Sequence, residues 1–184
     1  SMGARDLRLI YTGKLDYRLS ELLAGYTRSD PEPLRVAPLP FAVLEHLAAI
    51  ASPDSLVTAA QDLTVVGYFY LCRPGESTAP STADTLSAPF CLCDVQFVIG
   101  QAAYNAATIP MDRLQSVAWS SLTFTSQKNT VRGERIGHGR SGHPRLCPVR
   151  CLLSCAQHLR LHNAPPKTPL YHVYTASGIQ LITV

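Results

Sequence analysis

Apolar residues recur at helical spacing in four stretches of this chain and run extended between turn signals elsewhere. In residues 18–28, Leu19, Leu22, Leu23 and Tyr26 share one face, which predicts a short amphipathic helix. Asp30-Pro31-Glu32-Pro33 breaks it, and residues 34–40 read as an extended connector. A second helix is predicted over residues 41–51, with Leu44, Leu47 and Ile50 turned inward. Ser52-Pro53 supplies an N-cap and a first-turn proline for a third helix running to about Cys72. Leu56, Leu63, Val66 and Tyr70 give that helix a broad apolar face, so it is the expected centre of the core.

Pro74-Gly75 should stop the third helix, and residues 77–88 form a loop of Ser, Thr, Pro and other small residues. Residues 90–99 alternate as a strand, and 100–110 read as a loop or weak helix. Residues 117–126, with Trp119, Leu122 and Phe124, predict a second strand, and 131–137 are its candidate hairpin partner. Pro148 opens a helix to about His162, closed by Asn163-Ala164-Pro165-Pro166. The tail beyond Pro169 reads as extended around a turn at Ser177-Gly178. Helices, then a small antiparallel sheet, then another helix predict an α+β fold, predominantly helical. No internal repeat is visible.

Composition narrows the class. The 184 residues are 46% apolar and 16% charged, enough to bury a core and too uncharged for a disordered chain. The longest apolar run, residues 56–72, is interrupted by Gln61 and Asp62 and is too short to span a bilayer, so no membrane partner is expected. Six cysteines in a chain of this length do not make a disulfide scaffold. Cys72 ends an apolar run, Cys91 and Cys93 alternate in the first strand, and Cys147, Cys151 and Cys155 lie in or beside the last helix. No secretory signal precedes them, so they read as reduced thiols of an intracellular protein that is not secreted. Ser1-Met2-Gly3 reads as an expression scar, and the chain as an excised fragment.

Charge is unevenly spread. Of sixteen Lys and Arg, six (Lys128, Arg132, Arg135, Arg140, Arg145 and Arg150) fall within residues 125–150 beside a single acid, Glu134. That segment carries +5, while the rest carries ten bases and twelve acids, a net of −2. Four glycines, His138 and His143 interleave the charges. A mobile basic segment of this kind is suited to phosphate.

Two residues carry candidate chemistry. Arg73, in Leu71-Cys72-Arg73-Pro74-Gly75-Glu76, has a bland reading as a helix-end cap paired with Glu76, since a cation near a helix C-terminus stabilises it by about 0.3–1 kcal/mol. Its functional reading is a rigidly mounted guanidinium for bidentate phosphate binding, oriented by Glu76. Lys128 is either a solvated turn lysine or a mobile ammonium that donates a proton to a leaving oxygen.

In order, LCRPGE after the core helix, FCLCDVQF in the first strand and LTFTSQKNTVRGERIGHGRSGHPRLCPVRCLL resemble the catalytic domain of tyrosine recombinases. The closest likeness is to integrase-like proteins of eukaryotic mobile elements. The connector GYTRSDPEPLRVAPLP resembles the join between their N-terminal and catalytic domains. The likeness implies that residues 4–40 end an N-terminal domain with its linker and that 41–184 begin a catalytic domain. It implies DNA as partner, a recombinase tetramer on DNA for the parent protein, and a nucleus for its location if eukaryotic.

The family breaks and rejoins DNA through a 3′-phosphotyrosyl intermediate, with no metal or nucleotide cofactor, cationic groups stabilising the phosphorane charge. By the same resemblance Arg73 is the first phosphate-binding arginine, Glu76 its acidic companion, and Lys128 the hairpin general acid. Asp94 matches a supporting aspartate, with a structural role. Arg132, Arg135 and Arg140 are candidate contacts to the DNA backbone.

The sequence also departs from the family. A His-x-x-Arg motif should follow, then a nucleophilic tyrosine, yet His46, His138, His143, His158, His162 and His172 are followed at the third position by Ala, Ser, Leu, Leu, Pro and Thr. Tyr171 and Tyr174 precede the place where that motif would begin. The chain is therefore expected to bind DNA without cleaving it, and, as a truncated catalytic domain, to expose apolar surface and self-associate.

Two other readings compete. Cys151, Cys155, His158 and His162 form a stripe of zinc-ligand types on one helix. The first and last lie about 16 Å apart at 1.5 Å rise per residue, so they do not converge on one ion, and buried cysteines beside partly exposed histidines are the simpler expectation. The alternative to an enzyme is a non-catalytic nucleic-acid-binding module derived from such a recombinase, which the basic segment supports equally. A protein-interaction domain kept soluble by its basic arm is the blandest reading.

Overall fold

The computed structural model describes residues 39–50, 52–79, 88–125 and 133–183. The chain divides into two compact units, Ser1–Leu39 and Pro40–Val184. Among the described residues only Leu39 belongs to the first unit, so the predicted helix at 18–28 and most of the connector lie outside them. Every described helix and strand belongs to the second unit.

Helix α1 spans Phe41–Ala49. It stops before the predicted end, so Ile50 is 44% exposed and not inward-facing, and Ala48 joins Leu44 on the buried side. The Gln61 side chain ends it by donating to the carbonyls of Leu47 and Ile50 at 2.8 and 3.0 Å. Last-turn carbonyls have no partner within their own helix, and an amide supplies one.

Helix α2 spans Ser55–Tyr70, and its cap is Asp54, not Ser52. The Asp54 carboxylate accepts from the Leu56 N–H at 2.8 Å, while the Ser52 hydroxyl accepts from the Asp54 N–H at 3.1 Å. A carboxylate suits the positive end of the helix dipole better than a hydroxyl. The helix ends at Leu71, which adopts a left-handed φ of 56°. Pro74-Gly75 is therefore not the stop. Pro74 instead opens a one-turn helix, α3, Pro74–Ser77, where a proline with no N–H to satisfy fits the first position.

The segment predicted as one strand over 90–99 is divided. Leu92–Asp94 forms a 3-10 turn, and only Val95–Ile99 is strand β1. Cys91 and Cys93 therefore do not alternate in a ladder. Residues 100–110, predicted as loop or weak helix, contain strand β2, Ala102–Asn105. Gly100 has φ 60° and Ile99 pairs with Ala102, so a two-residue turn with glycine first closes a β1–β2 hairpin. A second 3-10 segment, Met111–Ser116, leads to β3, Trp119–Phe124, which pairs antiparallel with β4, Glu134–Gly139.

The sheet order is β2-β1-β3-β4, antiparallel throughout. Helix α4, Pro148–Leu161, follows, and β5, His172–Thr175, forms a separate hairpin with β6, Gly178–Leu181. This is a mixed α+β fold with a small antiparallel sheet.

Helices α2 and α4 pack on each other and against β3 and β4. Tyr70, Phe97, Leu122, Leu152 and Leu159 are fully buried between them, each apolar side chain of this size contributing roughly 1.5–3 kcal/mol. Three polar contacts, from Tyr70 and His138, set the register between helix and sheet. The Tyr70 hydroxyl lies 2.8 Å from Ser120 Oγ and donates to the Ser120 carbonyl at 3.1 Å, and His138 Nε2 lies 2.8 Å from the Phe69 carbonyl. The last turn of α2 is thereby tied to both strands of the β3–β4 hairpin. Ile179 and Leu181 of β6 are exposed. Among the described residues no helix is long and apolar enough to cross a membrane.

Candidate nucleic-acid interface

Arg73 precedes α3 and does not cap the end of α2, because the left-handed Leu71 has already turned the chain. Glu76 Oε2 accepts from the Arg73 N–H at 2.7 Å, and Glu76 Oε1 lies 3.9 Å from Arg73 Nη1. The Glu76 side chain is only 4% exposed and that of Arg73 is 42% exposed. The carboxylate thus fixes the backbone that carries the arginine and leaves the guanidinium partly exposed to an incoming group. A guanidinium held this way offers two parallel N–H donors to a phosphate or carboxylate.

The cleft around Arg73, ≈ 180 Å³, is lined by Leu71, Glu76, Phe124, Glu134 and Ile136. Phe124 and Glu134 are the outermost pair of the β3–β4 ladder, closed by Gly133 N–H donating to the Phe124 carbonyl at 2.8 Å. Gly133 has φ 75°, which a side chain would strain. Arg73 therefore sits at the root of the hairpin. Lys128 and Arg132 fall in the sequence between β3 and β4 and lie outside the described residues. In the sequence Glu134 counts only as a lone acid in a basic run. Its cross-strand place opposite Phe124 brings a second carboxylate to the cleft, and only the pairing register reveals that.

Asp94 is not part of this lining. Its carboxylate accepts from the Cys91 N–H at 2.8 Å, the arrangement Glu76 makes with Arg73. Burial raises its pKa, and the Cys91 hydrogen bond opposes that rise. The two turns are linked by the Phe90 N–H, which donates to the Glu76 carbonyl at 2.9 Å. Asp94 thus acts on the backbone beside the cleft and not inside it.

The arginines after the hairpin tip differ in commitment. Arg135 is exposed and stands opposite Thr123. Arg140 donates from Nε to the Val117 carbonyl at 2.6 Å, Arg145 donates to the Ala48 carbonyl, and Arg150 donates to the Pro144 carbonyl. His143 Nδ1 accepts from the N–H groups of Arg145 and Leu146. From Gly133 onward the segment is a regular strand followed by a hydrogen-bonded turn, which corrects the picture of a mobile basic arm. Two of its four glycines serve that order in a way the sequence did not show: Gly137 and Gly139 lie beneath the indole of Trp119.

The zinc-type stripe on α4 is divided among other tasks. Cys151 and Cys155 are buried, and burial together with nearby Asp62 pushes both thiols up. His158 Nε2 accepts from the Tyr174 N–H at 2.8 Å, and His162 stacks on Tyr174 with ring centroids 4.7 Å apart. Among the described residues no group of three or more His, Cys, Asp or Glu is placed to hold a metal ion. All six cysteines are free thiols.

Another cavity, ≈ 320 Å³, lies elsewhere, between α1, α2 and α4. Asp62 lines it, its carboxyl raised by burial against hydrogen bonds from Ser154 and Cys151 and the charge of Arg150. In the sequence Asp62 is only a break in an apolar run. No family model matches the chain, and no curated protein or solved structure matches it either, so its function is argued from its own residues.

Proposed function

We propose that this unit is the phosphate-gripping part of a DNA-breaking and rejoining domain of the tyrosine-recombinase type. In this reading it corresponds to the N-terminal part of the catalytic domain, in a parent protein that works through a 3′-phosphotyrosyl intermediate. One observation carries the reading: a half-exposed guanidinium, Arg73, backed by the buried Glu76, lies in a cleft lined by the root of the β3–β4 hairpin, and the sequence joining those two strands contains Lys128. Arg73 would hold a non-bridging oxygen pair of the scissile phosphate. Lys128, in the sequence that joins the two strands, would protonate the leaving 5′-oxygen. No His-x-x-Arg motif occurs in these 184 residues, so in this reading their share of the work is to hold phosphate.

A second reading, a nucleic-acid-binding module without catalysis, is favoured by the basic composition of residues 125–150, while Glu134 weakens the case for a phosphate at Arg73 itself. Its carboxylate and that of Glu76 share the cleft with one guanidinium. Binding of a labelled DNA duplex, followed by fluorescence anisotropy at several salt concentrations, separates the two. If Arg73 grips one phosphate in fixed geometry, Arg73→Ala and Arg73→Lys both weaken binding several-fold, because lysine keeps the charge and loses the fork. Lys128→Ala flattens the log–log salt slope by about 0.9. Wild-type affinity in Arg73→Lys with loss in Arg73→Ala favours the plain binding module. Unchanged affinity in both removes Arg73 from the interface.

A further inference from the structure

The outer face of the four-stranded sheet holds a feature that the Arg73 cleft does not use. Trp119 is the only tryptophan in the chain and is 45% exposed. It stands on β3 opposite Gly139. A Cβ placed on Gly137 would meet the indole Nε1 at 2.4 Å and Cε2 at 2.9 Å, and one on Gly139 would meet Cε3 at 3.3 Å. The two glycines are two residues apart on one face of β4. The indole therefore lies flat along that strand, its pyrrole edge over Gly137 and its benzene edge over Gly139. One ring face covers glycine backbone, and the exposed area belongs to the other.

Strand alternation puts Val98, directly opposite Trp119, together with Gln96, Ala103, Asn105, Thr123, Arg135 and the buried Ser121 on the same side of the sheet as Trp119. The single acid in the four strands, Glu134, alternates to the opposite face with Ile136 and His138. That opposite face is the one tied to α2 through Tyr70, Ser120 and His138. The outward strand positions thus combine a part-exposed indole, uncharged polar and small apolar neighbours, one arginine and no carboxylate. A polyanion whose rings are free to stack matches this surface in both shape and charge. A neutral sugar would stack on the indole and leave Arg135 unused.

We propose that this sheet face binds single-stranded nucleic acid, with one unpaired base stacked on Trp119 and a neighbouring phosphate held by Arg135. Trp119 and Arg135 are four positions apart along the ladder, about 13 Å at roughly 3.3 Å per residue, a span that the long arginine side chain shortens. Stacking on an indole tolerates any base, because every base has a π face, so the surface discriminates pairing state more than sequence. Gly137 is required because a side chain there would lift the ring off the strand, while one on Gly139 would only crowd its benzene edge. The proposal needs neither Arg73 nor Lys128.

The sole tryptophan reports its own contact. Titrating the full chain with oligothymidylate quenches the Trp119 fluorescence, with a midpoint that weakens as salt rises. Anisotropy of a labelled oligothymidylate then compares variants. Trp119→Phe stays within a few-fold of wild type. Trp119→Leu, which still covers the two glycines with an apolar side chain, binds about tenfold more weakly or worse. Arg135→Ala lowers the salt slope by about 0.7. Fluorescence unquenched at saturation, or Trp119→Leu binding as tightly as wild type, overturns the proposal. So does quenching by a duplex of the same length without quenching by the single strand. Arg73→Ala leaves the quenching intact. If it abolishes quenching, the contact belongs to the cleft and this proposal fails, whereas loss of duplex binding alone in that variant bears only on the cleft.

Discussion

The two halves of the basic segment put their arginines to different uses. In β4, Arg135 projects from the outer face of the sheet, exposed to solvent. In the turn that follows and the first turn of α4, Arg140, Arg145 and Arg150 each donate to a main-chain carbonyl, of Val117, Ala48 and Pro144 respectively. Ala48 lies in the last turn of α1, whose carbonyls need donors from outside the helix. A charge count treats all four guanidinium groups as equal attractions for phosphate. The fold uses three of them to close backbone ends, which fixes their positions, and leaves one aimed outward. Net charge therefore locates a phosphate-seeking region but overstates how many of its charges are free to move to a ligand.

The contrast can be broken most strongly at the glycines that keep the strand half open. Gly137→Val drives a side chain into the Trp119 ring and is expected to cost about 1–3 kcal/mol in urea unfolding, with a shift in tryptophan emission as the ring is displaced. A variant with wild-type stability and emission would show that the indole does not rest on that glycine. Next in size is Arg145→Ala, expected to lower stability by about 1 kcal/mol while DNA affinity changes little, since a hydrogen bond from a charged group is lost at a largely exposed site. Equal stability with much weaker DNA binding would erase the distinction between the halves. Arg135→Ala should do the reverse, leaving stability within about 0.5 kcal/mol of wild type while nucleic-acid binding weakens.

The smallest expected effect is a pH response in the β5 hairpin. Burial, and then the neighbouring His162, lowers the pKa of His158 below its usual value. Its Nε2 must be unprotonated to accept from the Tyr174 N–H. The unfolded chain therefore binds the proton more readily than the folded one. This contribution is present in full above the ordinary histidine pKa of about 6.5 and is lost as pH falls through and below that value. Burial lowers the pKa of His172 as well, so it acts in the same direction. Asp62 acts oppositely, because its raised pKa favours the protonated folded state at lower pH. Melting curves at pH values of about 7.5 and about 6, on either side of the ordinary histidine pKa, should show a small drop that His158→Gln reduces. A midpoint that rises on this acidification would contradict the assignment.

Much of the framework was legible in the sequence where a local signal has a local cause. Pro148 marks the start of α4, and helical spacing located the Leu63, Val66 and Tyr70 face of α2. Aromatic and β-branched residues located β3, and its hairpin partner appeared within a few residues of its predicted place. The errors fall where a distant group decides. α1 ends early because Gln61 supplies donors to its last carbonyls. Residues 102–105 become a strand because β1 offers an edge and Gly100 makes the turn. Arg73 heads a new helical turn because Leu71 goes left-handed without a glycine to announce it.

For the candidate sites, the sequence by itself determined which residue types lie near one another along the chain. It joined Arg73 to Glu76 through an i,i+3 spacing, and it concentrated basic residues around one hairpin. Only the tertiary structure decided which of those residues face solvent and which face a carbonyl. Spacing along a strand or helix is set by bonds between neighbours. The face a guanidinium uses, the carboxylate that joins it across a ladder, and the glycines an indole lies upon depend on pairings between segments that no local pattern contains.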